Sequence, residues 1–337
     1  MRIYVSVDSL HTSIVESQSH DPWHNLALEE ALLEDVSPNE IILYLWQNQN
    51  TVVIGRNQNA WRECRWKELE EGGGKLARRL SGGGAVYHDL GNLNFTFVMD
   101  KKLKNLHRQL KVLLNAAKAL GVEAEFSGRN DIVADGRKFS GNAFHTRDGA
   151  YYHHGTILVD VDFAKLAQIL TVDDSKMKAK GVTSVKSRVV NLKELSDQVT
   201  IDAFKQELLK AFCAEYGGTC EELKPADVTA DLSVLYDKYA SWQWRYGRTP
   251  NFDVELMTRF DWGGVQFGFS TDQGQVESCT VYSDAMDARF IQEISAHLEQ
   301  IPYRYDAIAA KLDELATTDE RKPLVADLKN WLQAEQL

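Results

Sequence analysis

Cysteine, proline, long apolar runs and surplus positive charge are all scarce in this chain. Its four cysteines, Cys64, Cys213, Cys220 and Cys279, form no Cys-x-x-Cys pair and are too few for a disulfide framework at this length. Cys213 and Cys220 could meet across a helix end, but such sparse usage suits a reducing compartment. The expectation is therefore two free thiols there and a cytoplasmic protein. Apolar runs stop at strand length, as in Ile41–Trp46 and Thr51–Ile54, which excludes a bilayer-spanning helix. The start, Met1–Asp8, alternates and soon meets an acid, unlike a secretory signal. Lys and Arg number 38 against 49 Asp and Glu, a net −11. That balance makes a poor general nucleic-acid binder, because phosphate contacts need clustered cations.

What remains is ordinary for a globular protein: 44% hydrophobic and 26% charged residues, enough to exclude a disordered, collagen-like or coiled-coil chain. A length of 337 residues suggests two domains. Asp21-Pro22 reads as a helix start, with Asp as N-cap and Pro in the first turn. Leu103, Leu106, Leu110, Leu113, Leu114 and Ala117 form a helical stripe stopped by Gly121. Val122, Ala124 and Phe126 alternate, and Tyr151–Asp160 reads as a strand. Asp162–Leu170 and Ile201–Tyr216 look helical. Val172–Asn191 has no period and is expected to be a long loop. Past a polar Gly/Pro stretch at Gly247–Asn251, Arg259–Trp262, Val265–Ser270 and Gln275–Ser283 read as short antiparallel strands, followed by three helices. The fold class is α+β: a large domain over residues 1–247 and a small one over 252–337.

Four segments carry chemistry. In Arg78-Arg79-Leu80-Ser81-Gly82-Gly83-Gly84-Ala85-Val86-Tyr87-His88-Asp89, three glycines allow close backbone approach, and exposed N–H groups with two arginines favour an anion. The alternative is a flexible loop with solvated arginines. No Gly-Lys-Ser/Thr follows at Walker spacing. In the second segment, Ser127–Ala143, Asp135-Gly136 is a hairpin signal. It sets Val133 opposite Lys138 and Asp131 opposite Ser140. Asp131, Val133, Lys138, Ser140 and Asn142 would then share a face, either solvated or the floor of a polar site. The third segment holds His153 and His154, which point to opposite faces and suit packing better than metal ligation, while His154 and Thr156 share a face. The fourth, Lys180–Leu192, places cations and hydroxyls around a Gly, as in a lid over phosphates or a solvated linker.

In this order the segments resemble the lipoate–protein ligase A family in its long form. The resemblance extends to Asp21–Glu30 and Val53–Asn59 and covers nearly the whole chain. It implies a large mixed-sheet catalytic domain of the biotin/lipoate ligase type with a small C-terminal α+β accessory domain. It further implies that lipoate and MgATP give lipoyl-AMP and pyrophosphate, and that the lipoyl group then passes to a carrier lysine. The expected carriers are apo lipoyl domains of 2-oxoacid dehydrogenase acyltransferases and the glycine cleavage H protein.

By the same resemblance, Lys138 is the central lysine, contacting the lipoyl carboxyl and the α-phosphate. Arg79, Gly84, Ala85, Val86 and Tyr87 fall on nucleotide positions, with Asn130 and Asp131 at the nucleotide or its Mg²⁺. Ser81, Gly82, Gly83 and His88 border lipoate. Lys180, Gly181, Val182, Thr183 and Ser184 match the loop that closes on the adenylate. Octanoate could be accepted beside lipoate, and a monomer is the default. Octanoyltransferases of the same fold family use a cysteine nucleophile, and none of the four cysteines lies in these motifs. A carrier-binding module without activity is the non-enzyme alternative.

Overall fold

The computed structural model describes residues 10–128, 130–170, 188–217, 220–246, 253–272 and 274–335. Lys180–Ser184 and the Gly247–Asn251 boundary therefore lie outside the described residues. No helix among those described is long and apolar enough to cross a membrane.

The described chain forms two compact units. The first comprises residues up to Val53, Cys64–Ala77 and Val86–Arg245; the second comprises Ile54–Glu63, Arg78–Ala85 and the chain from Tyr246 on. The second unit therefore draws two short stretches from the N-terminal third of the sequence.

The first unit is built on a mixed sheet of eight strands. In chain order these are β1 (His11–Glu16), β2 (Glu40–Trp46), β6 (Asn92–Asp100), β7 (Glu125–Ser127), β8 (Asp131–Ala134), β9 (Arg137–Arg147), β10 (Ala150–Leu158) and β11 (Glu221–Glu222). Their spatial order is β11-β1-β2-β6-β10-β9-β8-β7. β1 runs parallel to β2 and β11; the other neighbours are antiparallel. A separate three-stranded sheet joins β4 (Lys75–Arg78), β3 (Thr51–Ile54) and β5 (Val86–His88) in that order, and the short helices of the described chain are α2 (Ala60–Glu63), α3 (Trp66–Glu71), α5 (Phe163–Ile169) and α8 (Trp242–Arg245).

The two faces of the large sheet differ in chemistry. One carries Leu43, Leu45, Phe95 and Phe97, buried with Leu110 and Leu113 of α4 (Leu106–Ala119) and with Phe204, Leu208 and Phe212 of α6 (Ile201–Tyr216). The helix starts follow from their caps: Asn105 Oδ1 accepts from Arg108 N at 3.2 Å, and Thr200 Oγ1 accepts from Ala203 N at 3.1 Å. Gly121, at φ +78°, adopts after α4 the left-handed conformation that glycine takes freely. The other face meets α1 (Pro22–Asp35). Asp21 Oδ1 caps α1 at Trp23 N, 3.0 Å, as the Asp-Pro pair predicts. Against α1 lies α7 (Leu232–Ala240), tied by Lys238 Nζ to Glu30 Oε1 at 2.7 Å.

The sequence-based expectation for Cys213 and Cys220 is corrected. The two cysteines form a disulfide, with Cα atoms 6.1 Å apart. Gly217, at φ +83°, ends α6, and its N–H bonds back to Cys213 O at 2.9 Å. Compartment usage is a statistical default, whereas this pairing is set by local geometry within bridging range. Cys64 and Cys279 are buried and take no part in a disulfide.

The second unit has its own sheet, β12 (Val254–Phe260), β13 (Gly263–Asp272) and β14 (Gln275–Ser283). It packs with α9 (Ala288–His297), α10 (Tyr305–Asp313) and α11 (Arg321–Ala334) through Phe267, Phe269, Phe290, Ile294, Ile308 and Leu328. The first strand starts five residues before the sequence-based expectation and turns at Asp261-Trp262. Alternation at Val254, Leu256, Thr258 and Phe260 carries it.

Candidate active site

The site is described within each unit. In the first, β8 and β9 form the hairpin expected from Asp135-Gly136, whose φ values of +51° and +68° match a tight two-residue turn. Val133 pairs with Lys138, as expected. Beyond that point the register shifts: Ile132 pairs with Ser140 and Asp131 with Gly141. One extra residue on β9, Phe139, is a bulge. The single-face expectation for Asp131, Val133, Lys138, Ser140 and Asn142 is therefore corrected.

Asn142 turns to the α4 face, where its Oδ1 lies 2.8 Å from His153 Nε2. Asn142 Nδ2 is used by Asn130 O at 3.0 Å, so His153 Nε2–H is the donor. His153 is fully buried, and burial first, then the charge of His154, pushes its pKa down to about 3. It is a neutral packing residue and no metal ligand. Ser140 is also fully buried.

Lys138 takes the opposite course. Its Nζ sits 2.7 Å from Asp131 Oδ1, with both side chains about one-third exposed. The Lys138 chain lies over Gly141: a β-carbon there would fall 2.8 Å from Nζ, with Thr156 Oγ1 at 3.9 Å. Thr156 Oγ1 accepts from Gly141 N at 3.2 Å. The Lys138 backbone is clamped as well, its N–H donating to Arg188 O at 2.9 Å and its O accepting from Val190 N at 2.9 Å. The chain returning from the Lys180–Ser184 region thus forms a bridge at Lys138 itself.

Further along the α1 face lies a buried polar network that sequence reasoning missed. His154 Nδ1 lies 2.8 Å from Glu29 Oε1. The same oxygen accepts from Thr96 Oγ1 at 2.7 Å, and Thr96 Oγ1 accepts from Trp46 Nε1 at 3.1 Å. Trp46 meets the His88 ring edge-on at 6.2 Å. His88 Nδ1 lies 3.2 Å from Asn48 Nδ2. Asn25 Nδ2 donates to Asn48 Oδ1 at 2.9 Å, so the Asn48 nitrogen faces His88. His88 then accepts at Nδ1 and in its neutral form carries the proton on Nε2. Polar Asn25, Glu29 and Glu30, in a helix whose other buried residues beyond Pro22 are leucine and alanine, were the signal available in the sequence.

β5 places Val86, Tyr87 and His88 beside Val53, Val52 and Thr51. Tyr87 OH donates to Asn50 Oδ1 at 3.3 Å. Burial, then Asp89 and Asp162, raises the Tyr87 pKa to about 12, so it is a neutral donor.

The second unit holds the rest of the glycine motif. Arg78 Nη1 donates to the carbonyls of Gln58 at 2.7 Å, Arg56 at 3.1 Å and Gly55 at 3.2 Å. Arg79 Nη2 donates to Gly82 O and Gly84 O, each at 2.8 Å, and its Nε to Ser81 Oγ at 3.1 Å. Both arginines shape the loop in this structure. The close approach that glycine allows at 82 is to the protein's own backbone, at Ala285 O and Met286 O, with Gly83 N donating to Ala285 O at 3.2 Å. Around Gly84 there is open space.

Among the described residues no group of three His, Cys, Asp or Glu could cage a metal. Asp131 offers one carboxylate beside Lys138. That donor set fits a magnesium ion bound mainly through nucleotide phosphates and water, not a dedicated protein cage. Among the described residues no thiol is poised for nucleophilic work: Cys213 and Cys220 are paired, Cys64 is buried, and burial pushes the Cys279 thiol well up.

A family model for the lipoyl protein ligase A/B catalytic domain matches residues 21–213, and one for the bacterial lipoate protein ligase C-terminus matches residues 249–332. The chain belongs to the lipoate–protein ligase A family. It is 39% identical over 329 residues to the lipoate-protein ligase A of Blochmanniella floridana, covering 95% of this chain and 94% of that protein. The fold is similar to P. falciparum LipL1 in complex with lipoate, with a TM-score of 0.83 at 30% identity over 95% of this chain and 98% of the other. It is also similar to a lipoate-protein ligase A bound with ATP, with a TM-score of 0.61 at 26% identity, covering 71% and 100% of the two chains. Family and structure together make the chain an enzyme of the lipoate–protein ligase type, with the C-terminal domain of the long form.

Proposed function

We propose that this ligase activates lipoate with ATP as lipoyl-AMP and transfers the lipoyl group to a lysine of lipoyl carrier domains, with Lys138 at the centre of both steps. The observation that carries this reading is the Lys138 ammonium over Gly141, held by Asp131 at 2.7 Å. A carboxylate must attack an anionic α-phosphate, and a fixed ammonium between them offsets the repulsion that grows towards the transition state. The pair with Asp131 is partly exposed and worth no more than about 1 kcal/mol, so substrate oxygens can replace Asp131 as partners at little cost while the ammonium stays over Gly141. Once adenylated, the acyl carbon has AMP as a good leaving group, and the incoming carrier amine needs no protein nucleophile.

The remaining roles follow the family motif. Gly84–Tyr87 and Arg79 face the nucleotide, Arg79 by exchanging loop carbonyls for phosphate. Ser81, Gly82, Gly83 and His88 border the acyl group. Asn130 and Asp131 would hold the phosphates and their Mg²⁺, which would supply charge neutralisation, and Lys180–Ser184, outside the described residues, match the family's adenylate loop. The accessory domain spans residues 252–337. The protein works in the cytoplasm as a monomer, and its carriers are the acyltransferase lipoyl domains and the glycine cleavage H protein.

The test is pyrophosphate release with ATP, Mg²⁺ and lipoate but no carrier. A lipoate-dependent burst, lipoyl-AMP retained on the protein, and discharge by an apo lipoyl domain are expected, with the burst lost in Lys138→Ala. Burst activity surviving Lys138→Ala would remove that lysine from the centre of the mechanism.

A further inference from the structure

Two buried amides at the start of β6 have no role in the assignments above. Asn92 is 0% exposed and Asn94 1%. Asn92 Nδ2 donates to Asn94 Oδ1 at 3.0 Å, which leaves Asn94 Nδ2 and Asn92 Oδ1 buried without partners among the described residues. Native proteins seldom tolerate buried polar groups unpaired, since desolvation goes uncompensated. The orphaned donor calls for an acceptor from outside the chain.

Its place in the sheet indicates which acceptor. Asn94 pairs across the ladder with Trp46 on one side and Thr156 on the other. Cross-strand partners share a face, so Asn94 lies on the α1 face between them. Thr156 adjoins Gly141, beneath the Lys138 ammonium. From Gly141 to Asn94 is two strand spacings, about 10 Å in all. A lipoate whose carboxyl sits at Lys138 has six bonds from its carboxyl carbon to the nearer ring sulfur. At about 1.5 Å per bond and tetrahedral angles, an extended chain reaches roughly 8 Å, and the N–H···S contact covers the remainder of that span.

We propose that Asn94 is a specificity-determining residue for the acyl tail, its Nδ2–H donating to a dithiolane sulfur. An unbranched aliphatic tail of the same length would leave the donor unpaired. A site built to hydrogen-bond one substrate discriminates against the analogue lacking the group, because the protein's own polar atom then stays buried and bare. Sulfur is a weak acceptor, so the discrimination is several-fold rather than thousand-fold. This inference rests on the ligase reading above.

The experiment compares lipoate with octanoate in pyrophosphate release by the full-length wild type and by Asn94→Leu, which keeps the bulk and removes the donor. The ratio of kcat/KM for lipoate over octanoate should fall at least fivefold, with KM for ATP unchanged and the fold checked by thermal melting. An unchanged ratio in a folded variant overturns the inference, as does an equal loss with both acids. If Asn94→Leu does not fold, Asn94→Ser is read by the same ratio and by the melting-temperature rise each acid gives the apo protein. Wild type releasing no pyrophosphate with either acid overturns the ligase reading and the inference with it. Wild-type release with an unchanged variant ratio overturns the inference alone.

Discussion

Substituting Gly141 by Ala separates the position of Lys138 from the stability of the sheet. The new β-carbon would fall 2.8 Å from Lys138 Nζ and 2.9 Å from its Cε. Both atoms are the free end of a flexible side chain, so the ammonium must move while the backbone need not. What the fold loses is the pair with Asp131, whose partners are 35% and 38% exposed. A pair so exposed is worth at most about 1 kcal/mol, which for a chain of this size lowers Tm by about 4 °C or less. The chemistry loses more. Displacing the ammonium by about 1 Å from the attacking carboxylate and the α-phosphate costs on the order of a hundredfold in rate, or about 2.7 kcal/mol of barrier. Single-turnover pyrophosphate release and a thermal melt measure the two effects separately. Adenylation within threefold of wild type would show that the position over Gly141 is not the working one. A Tm drop beyond about 10 °C would show that more than the lysine tip had to give.

Gly82→Ala should be costly for the opposite reason. Its β-carbon meets the Ala285 and Met286 carbonyls, which cannot swing aside, so a loss of about 1–3 kcal/mol should appear in urea unfolding; a wild-type midpoint would contradict the packing. His153 gives a pH signature. Burial lowers its folded pKa to about 3, whereas the unfolded value is about 6.5. Its neutral form thus contributes stability that is fully present above pH 6.5 and lost as pH falls towards 3, at about 1.4 kcal/mol per pH unit. His153→Gln should flatten the fall in Tm between pH 6.5 and 4.5; an unchanged slope would place the acid sensitivity elsewhere. Thiol titration in denaturant without reductant should count two cysteines, Cys64 and Cys279, and four after reduction. Four at the outset would exclude the Cys213–Cys220 bridge.

The legible parts of the fold were those governed by local rules. The Asp21 cap, the Gly121 stop and the Asp135-Gly136 turn each follow from one or two residues acting on their own backbone. The bulge at Phe139 does not, because nothing near it forbids regular pairing; tertiary packing of Phe139, which is 1% exposed, decides it. That one residue moved Asn142 and Ser140 away from Lys138. The motif residues themselves were readable because glycine and arginine clusters are rare. Their bonding was not: Arg79 could face a phosphate or its own loop, and in the folded chain the Gly82 and Gly84 carbonyls take it. The Glu29–His154 contact joins residues 125 positions apart, a distance at which single-sequence patterns carry no signal.

The make-up of the second unit bears on genetic engineering. Asn57 Nδ2 donates to Ala288 O at 2.8 Å, and Ser283 N donates to Asn57 O at 2.9 Å. Ile54–Glu63 and Arg78–Ala85 therefore find their backbone partners in a region encoded some two hundred residues later. A gene cut at codon 246 would not release a self-contained module. It would strand two loops, one of them carrying Gly82 and Gly83, without the carbonyls and amides they are shaped to meet. A chimera that exchanges the C-terminal region with another ligase must carry matching versions of both stretches. Recombination breakpoints that respect the fold bracket 54–63 and 78–85 as well as 246.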